Sequence, residues 1–161
     1  MGEVVAIDHV SGDEWAAHCG GNDHGFASEA EYTDWIADNI DVLKQVVGLT
    51  GSGIVRYNQG VKVDSGRYVR PDISMATDTA TYLFEVKLSM PDKKGHGCTK
   101  QVAGVGQVML YGAAVVGDTK LFIVDANISP ELIAVVREYK LPITLIEANR
   151  DYFSICWHQV I

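Results

Sequence analysis

One strand pattern, at residues 81–89, constrains the fold of this chain more than any other part of its sequence. The even positions form an unbroken apolar face made of Tyr82, Phe84, Val86 and Leu88. The odd positions place Glu85 and Lys87 together on the opposite face. Alternation with a period of two is typical of a β-strand. A face this apolar predicts a central strand, on which the acid and the lysine emerge side by side.

The segment before this strand predicts a partner that carries a second acid. A strand is expected at about 67–75, and Pro71 indicates an edge position or an irregularity because proline has no N–H to donate. Four residues, 77–80, supply the turn. A loop of that length sets Asp72 directly opposite Glu85. Opposed side chains have Cβ atoms about 5 Å apart, so these two acids repel each other unless a cation lies between them.

A helical pattern precedes these strands. Ser28 and Glu31 form a capping box that opens a helix at 28–44. Glu29 lies three residues before Tyr32 and therefore points toward the buried stripe of this helix. An inward-facing acid is costly unless something cationic meets it. The alternative is that Glu29 only favours the positive end of the helix dipole.

A second helix is expected at about 99–116. One of its faces carries Lys100, Ala103, Gly104, Gln107 and Tyr111. Gly104 and Gly106 each lower helix stability by about 1 kcal/mol relative to alanine, which close packing against a sheet or a phosphate backbone would explain. Beyond this helix the patterns predict a strand at 119–124, a helix at 130–139 and strands at 141–147 and 152–159.

The order Asp72, Glu85-x-Lys87, Gln107-x-x-x-Tyr111 resembles the PD-(D/E)XK nuclease superfamily, specifically its RecB-like branch. The resemblance implies an α/β, restriction-endonuclease-like fold, with an αβββαβ core and a central mixed sheet flanked by helices. It covers roughly residues 28–125 of a single domain that spans 1–161. Residues 126–161 would then form a C-terminal αββ extension.

The resemblance also implies a role for each site residue. Those implied for catalysis are Asp72, Glu85, Lys87 and Gln107. Those implied to bind Mg²⁺, with Mn²⁺ as a substitute, are Asp72, Glu85, the main-chain carbonyl of Val86 and Glu29. The residues expected to support the site or bind phosphate are Tyr111, Lys100 and Arg70. The chemistry is consistent with the residue types, because hydrolysis of a phosphodiester needs a cation to offset phosphoryl charge, and Mg²⁺ prefers oxygen ligands. The implied activity is that of a Mg²⁺-dependent (endo)deoxyribonuclease, and the residues leave open both DNA versus RNA and endo- versus exonuclease action.

The charge distribution bears on a nucleic-acid partner. The net charge of −8 speaks against one at first sight. Residues 62–100, however, hold seven basic and five acidic residues, a net +2, against six basic and 16 acidic residues, a net −10, in the remainder. Positive charge therefore gathers around the predicted site, as phosphate binding requires.

Other sequence features bear on the cellular location of the protein and on alternative functions. No apolar run approaches the roughly 20 residues that cross a bilayer, and residues 1–5 do not resemble a secretory signal. Three widely spaced cysteines argue against a disulfide framework. We therefore expect a cytoplasmic protein without membrane contact, and a homodimer is compatible with its small surface. Two alternatives remain: a nuclease-like module that binds nucleic acid or protein without cutting, and a small metal-dependent phosphoesterase.

Overall fold

The computed structural model describes residues 25–49, 53–63, 68–89 and 98–158, apart from the side chains of Lys62, Cys98 and Thr99. The helices are α1 (Glu29–Asp38), α2 (Ile40–Val46), α3 (Cys98–Ala114) and α4 (Pro130–Glu138). The first strands are β1 (Ile54–Tyr57), β2 (Val61–Lys62), β3 (Tyr68–Val69) and β4 (Ile73–Ala76). The later strands are β5 (Thr81–Lys87), β6 (Thr119–Asp125), β7 (Ile143–Ala148) and β8 (Phe153–Trp157). No helix among these residues is long and apolar enough to cross a bilayer.

Six strands form a mixed sheet in the order β1-β4-β5-β6-β7-β8. Strand β4 is antiparallel to both of its neighbours, β1 and β5. Strands β5, β6 and β7 are parallel, and β8 is antiparallel to β7. The parallel connections pass through α3 and α4, as parallel neighbours require. The predicted α/β class, the central mixed sheet and the αβββαβ order are thus confirmed. As predicted, β5 is a central strand with neighbours on both edges.

The predicted register between β4 and β5 is the observed one. Ala76 pairs with Thr81 and Ile73 pairs with Phe84, so the same register continued by one residue sets Asp72 opposite Glu85. The turn between the strands is closed by Thr77, whose hydroxyl accepts a hydrogen bond from the Ala80 N–H at 3.1 Å.

Two predicted elements are interrupted. The strand expected at 67–75 is split, because β3 pairs with β2 in a separate two-stranded sheet and the chain leaves the ladder at Pro71 before β4 begins. The helix expected at 28–44 is two helices that meet at Asn39. The Asn39 side chain donates to the Trp35 carbonyl at 2.8 Å and so competes with the continuing helix. The capping residue is confirmed, since the Ser28 hydroxyl accepts from the Glu31 N–H at 3.1 Å.

Each face of the sheet has its own hydrophobic core. On one face, α1 and α2 cover a core that includes Tyr32, Ile36, Leu43, Phe84 and Val86. On the other face, α3 and α4 cover a core that includes Leu83, Val108, Ile123, Leu132 and Leu145. The odd-numbered side chains of β5 therefore face α3, and this places Glu85 and Lys87 beneath that helix.

A buried polar network anchors α3 to the ends of β5 and β6. The Asp125 carboxylate accepts hydrogen bonds from the Ser89 N–H at 3.1 Å and from the Gln101 side-chain amide at 2.9 Å. Gln101 is fully buried, and its side-chain oxygen accepts from the Ser129 N–H at 3.0 Å. Its amide also donates to the Asn127 carbonyl. One side chain thus fixes where α3 starts over the sheet.

We expect Gln101→Ala to lower the free energy of unfolding by about 2–4 kcal/mol, because it removes one donor from the buried Asp125 carboxylate and leaves the buried Ser129 N–H without an acceptor. Urea denaturation would measure the change. The matched control is Gln107→Ala on the exposed side of the same helix, which should stay within about 0.5 kcal/mol of the parent chain. Equal effects of the two substitutions would contradict this view of the network.

Candidate active site

The site lies next to the first residue of β4, Ile73, where one edge of β5 has no partner strand among the described residues. The Asp72 carboxylate accepts a hydrogen bond from the Val86 N–H at 2.7 Å. Two residues further on, the Glu29 carboxylate accepts from the Leu88 N–H at 3.3 Å. The side chains thus replace the missing ladder partners. The Val86 carbonyl faces the same edge, because the two polar groups of a strand residue point to the same side.

Glu85 is the buried acid of the site. Only 3% of the residue is exposed. Its Oε1 atom lies 3.0 Å from the Lys87 Nζ atom, whereas its Oε2 atom is buried and accepts no hydrogen bond from the described residues. The Asp72 carboxyl group is close enough for its charge to act on Glu85. Burying a carboxylate oxygen without a hydrogen-bond donor and beside a second acid costs free energy. A cation bound between the two carboxylates would offset that cost.

The pKa values of the two acids reflect this crowding. Burial, and then the charge of Asp72, raises the pKa of Glu85 to about 7, although Lys87 and Tyr111 act in the opposite direction. Burial also raises the pKa of Asp72 from its ordinary value, while the Val86 N–H and Lys87 oppose the increase. In the metal-free protein, Glu85 is therefore largely protonated below neutral pH.

This pKa predicts a pH-dependent stability in the presence of EDTA. The folded state binds a proton at Glu85 more tightly than the unfolded state, whose pKa is near 4.5. Stability from this group is therefore complete below about pH 4.5 and is lost as the pH rises through about 7. We expect the melting temperature to fall by a few degrees more between pH 5 and pH 8 in the parent chain than in Glu85→Gln. Calorimetry would measure this, with the exposed Glu31→Gln as control. A parallel pH dependence in all three proteins would argue against a raised pKa.

Helix α3 closes over the site through a glycine. A Cβ atom built on Gly104 would lie 3.3 Å from Lys87 Cε and 3.7 Å from Glu85 Cγ. Any side chain there would push on the lysine. About two helical turns after Gly104, Tyr111 interacts with the Glu85 carboxyl group. Burial, together with the charge of Glu85, raises the pKa of Tyr111 to about 12. The backbone of α3 thus approaches the site closely at Gly104, as predicted. The same prediction is wrong for Gly106, which is exposed and has no packing atom within 4 Å among the described residues.

The two glycines of α3 provide a matched test. We expect Gly106→Ala to raise the free energy of unfolding by about 0.4–1 kcal/mol, because no atom lies within 4 Å of the added methyl group and alanine favours a helix. Gly104→Val should lower it by about 1–3 kcal/mol through overpacking against Lys87. Chemical denaturation measures both changes. Stabilisation by both substitutions would show that α3 does not pack against the lysine as described.

Not every predicted site residue joins this cluster. The structure brings Asp72, Glu85, Lys87 and Tyr111 together. Glu29 lies next to them and accepts a hydrogen bond from the Leu88 N–H of the same strand edge. Gln107, Lys100 and Arg70 are exposed, and the Gln107 side chain has no hydrogen bond to the described residues. Among those residues, no three His, Cys, Asp or Glu side chains converge on a common metal position. The charge of Glu29 acts on Asp72.

A cleft adjoins the cluster and was not anticipated from the sequence. Its volume is about 540 Å³. Asp72, which forms an acid pair with Glu85, lines the cleft on the side of that pair. Its other walls are α1 and the end of β1, which contribute Glu29, Thr33, Asp34, Ala37 and Tyr57. The spacing of Glu29, Thr33 and Ala37 by four residues would have indicated a common helix face. Nothing in the sequence places Tyr57 opposite them.

Fold and site together define an α/β protein in which a carboxylate pair and a lysine meet at the centre of a mixed sheet. No protein-family model matches the chain, and no curated protein matches it. Among solved structures, the chain is similar to the small subunit of the heterodimeric restriction endonuclease R.BspD6I, with 13% sequence identity and a TM-score of 0.46. The similarity covers 83% of this chain and 70% of that subunit.

Proposed function

We propose that this protein is a metal-dependent nuclease of the PD-(D/E)XK type that hydrolyses phosphodiester bonds, with DNA as the expected substrate. One observation carries the proposal. The buried Oε2 atom of Glu85 has no hydrogen-bond donor among the described residues, adjoins the Asp72 carboxyl group, and belongs to a side chain paired with Lys87 at 3.0 Å. An acid pair can hold the metal ion that assists phosphodiester hydrolysis, and a lysine beside it can stabilise the charge that develops.

The donor set fits Mg²⁺, with Mn²⁺ as a substitute. Mg²⁺ usually binds through one or two carboxylates and keeps several water molecules. Asp72 and Glu85 would supply the carboxylates and Val86 the carbonyl oxygen, all from one strand edge and its neighbour. Glu29, one donor further along that edge, would act through a water molecule. When bound, the ion would offset charge on the phosphoryl group and make a water molecule more acidic.

Lys87 is the proposed catalytic cation. Glu85 holds its Nζ atom and the backbone of Gly104 lines its aliphatic stem, so the ammonium group has few alternative positions. There it would orient the attacking water or donate a hydrogen bond to a phosphoryl oxygen as negative charge develops. Hydrolysis forms a new bond between water oxygen and phosphorus and breaks the ester bond to the leaving oxygen. Tyr111 would keep Glu85 in place, and the exposed Arg70 and Lys100 would contact flanking phosphates.

A second candidate function is a nuclease-like module that binds nucleic acid without cutting it. The observation that favours it is the structural use of the same acids. Asp72 and Glu29 satisfy the free N–H groups of β5, and Glu85 already pairs with Lys87. Such a site could be retained for stability alone, since fold does not establish activity.

One assay separates the two functions. The protein would be incubated with labelled single-stranded, double-stranded and branched DNA and with RNA, in Mg²⁺, Mn²⁺ or EDTA. We expect cleavage with either metal and none in EDTA. Cleavage that persists in EDTA would overturn the metal-dependent mechanism. Binding without cleavage under every condition would identify the non-cleaving module.

A further inference from the structure

The cleft beside Asp72 is rich in acidic side chains. Three carboxylate residues border it, Glu29, Asp34 and Asp72. Asp38 and Asp41 lie close enough to Tyr57 for their charges to raise its pKa from the ordinary value, although burial contributes most. Asp34, Asp38 and Asp41 are not among the proposed metal ligands, so their charges would repel a phosphate group at short range. The phosphate backbone is therefore excluded from the part of the cleft beside Tyr57.

An uncharged aromatic ring, by contrast, fits the cleft. Tyr57 is 38% exposed and borders the cleft, so part of its ring is available for stacking. Carboxylate oxygens on the other walls accept hydrogen bonds from exocyclic amino groups, as acidic side chains do from cytosine. The volume of about 540 Å³ exceeds what a single base needs. Stacking, amine recognition and phosphate exclusion together describe a nucleobase.

The wall that carries Tyr57 is tied to the acid pair. The next residue, Asn58, has a left-handed backbone with φ of 47°, a conformation that asparagine adopts more readily than most residues. Its N–H donates to the Asp72 carbonyl at 2.8 Å. A base stacked on Tyr57 would therefore sit at a fixed position relative to Asp72, and a phosphate bound at the acid pair would belong to the same or the adjacent nucleotide.

We propose that the cleft receives an unpaired nucleobase next to the scissile phosphate, with preference for bases that carry an amino group. This inference rests on the proposed nuclease function and makes it more specific. A base inside a duplex is stacked on both faces and paired along one edge, so it must leave the helix to enter the cleft. The substrate class is thus single-stranded nucleic acid, or a strand end or flap with unpaired bases.

The test combines a protein substitution with a substrate substitution. Cleavage of single-stranded oligonucleotides would be measured for the parent chain and Tyr57→Ala, on substrates with one abasic nucleotide scanned past the cut position. We expect Tyr57→Ala to raise KM by roughly tenfold or more, the loss of one base–aromatic stack. An abasic nucleotide at one position should cause a similar loss in the parent chain and little further loss in Tyr57→Ala, because both changes remove the same contact.

Four further variants sharpen the result. Tyr57→Phe keeps the ring and should restore KM to within about twofold of the parent value. Ala37→Leu fills the cleft from α1 and should weaken binding even where Tyr57→Ala fails to fold. Tyr139→Ala removes a tyrosine that is 75% exposed at the end of α4 and should change nothing. Asp34→Asn should reduce the preference for cytosine or adenine over thymine.

The outcomes separate this inference from the proposed function. If the parent chain cleaves but Tyr57→Ala and Ala37→Leu retain its KM, the base site is wrong and the nuclease assignment stands. The base site is also wrong if the abasic and Tyr57→Ala losses are additive. If the parent chain cleaves no substrate, the proposed function fails. The base site is then tested by fluorescence anisotropy of bound single strands, in which equal affinity of parent and Tyr57→Ala overturns it.

Discussion

Lys87→Gln is expected to reduce metal-dependent cleavage by about 10²–10⁴-fold while the protein remains folded. The lysine is the cationic side chain paired with Glu85, at 3.0 Å, and groups that stabilise developing charge or transfer a proton typically contribute this much to the rate. Glutamine is shorter and uncharged, so it replaces neither the charge nor the reach of the ammonium group. Single-turnover kinetics with saturating Mg²⁺ would measure the chemical step directly.

The matched control for this substitution is Lys120→Gln. Lys120 is an exposed lysine on β6, paired in register with Tyr82 at the opposite end of the strand from the site. Its loss should leave the single-turnover rate within about twofold, since it touches no part of the acid pair. Lys87→Gln also leaves Glu85 without its ion-pair partner, so circular dichroism must establish that the variant is folded at the assay temperature. Parental rates in a folded Lys87→Gln protein would remove the lysine from the mechanism.

Asp72→Asn is expected to lower cleavage by about 10²–10³-fold, because one of the two carboxylates proposed to bind the metal ion loses its charge and such stabilisation is worth several kcal/mol. The substitution preserves the side-chain shape, and the amide oxygen can still accept from the Val86 N–H. It also removes a charge that raises the pKa of Glu85, so the metal-free variant should be at least as stable as the parent at neutral pH. Titration with Mn²⁺ would show weaker binding in the same variant.

Asp78→Asn provides the control for charge removal. Asp78 is exposed in the turn between β4 and β5, at the other end of the hairpin from Asp72. It should leave cleavage, metal binding and stability close to the parent values. Undiminished Mn²⁺ affinity in Asp72→Asn would contradict the assignment of Asp72 as a ligand, even if cleavage fell.

The parts of the site that follow from local pattern were predictable. The alternation of β5 determined the common face of Glu85 and Lys87, and the length of the turn before β5 determined the register that opposes Asp72 to Glu85. Both features depend on residues close in sequence and on the strict two-residue period of a strand. A slip of one residue would move every side chain to the opposite face of the sheet. The close approach of Gly104 followed from the cost of a glycine inside a helix.

The remaining parts depend on contacts that no local pattern encodes. Gln101 and Gln107 are similar residues on one helix, yet the first is buried against Asp125 and the second is exposed, because the rotation of α3 is set by its packing on the sheet. The break at Asn39 results from a side-chain hydrogen bond to the preceding turn. The reach of Glu29 to the Leu88 N–H joins residues 59 positions apart. Such a pairing follows only from how α1 crosses the sheet.

The carboxylates that occupy the open edge of β5 also affect how the protein behaves in concentrated solution. An exposed strand edge invites pairing with a strand from another molecule, and charged side chains on the edge discourage it. Asp72 and Glu29 already hold the Val86 and Leu88 N–H groups, so an incoming strand finds these two donors occupied and meets negative charge. The acids proposed to attract a metal ion would thus also protect the chain against edge-to-edge aggregation.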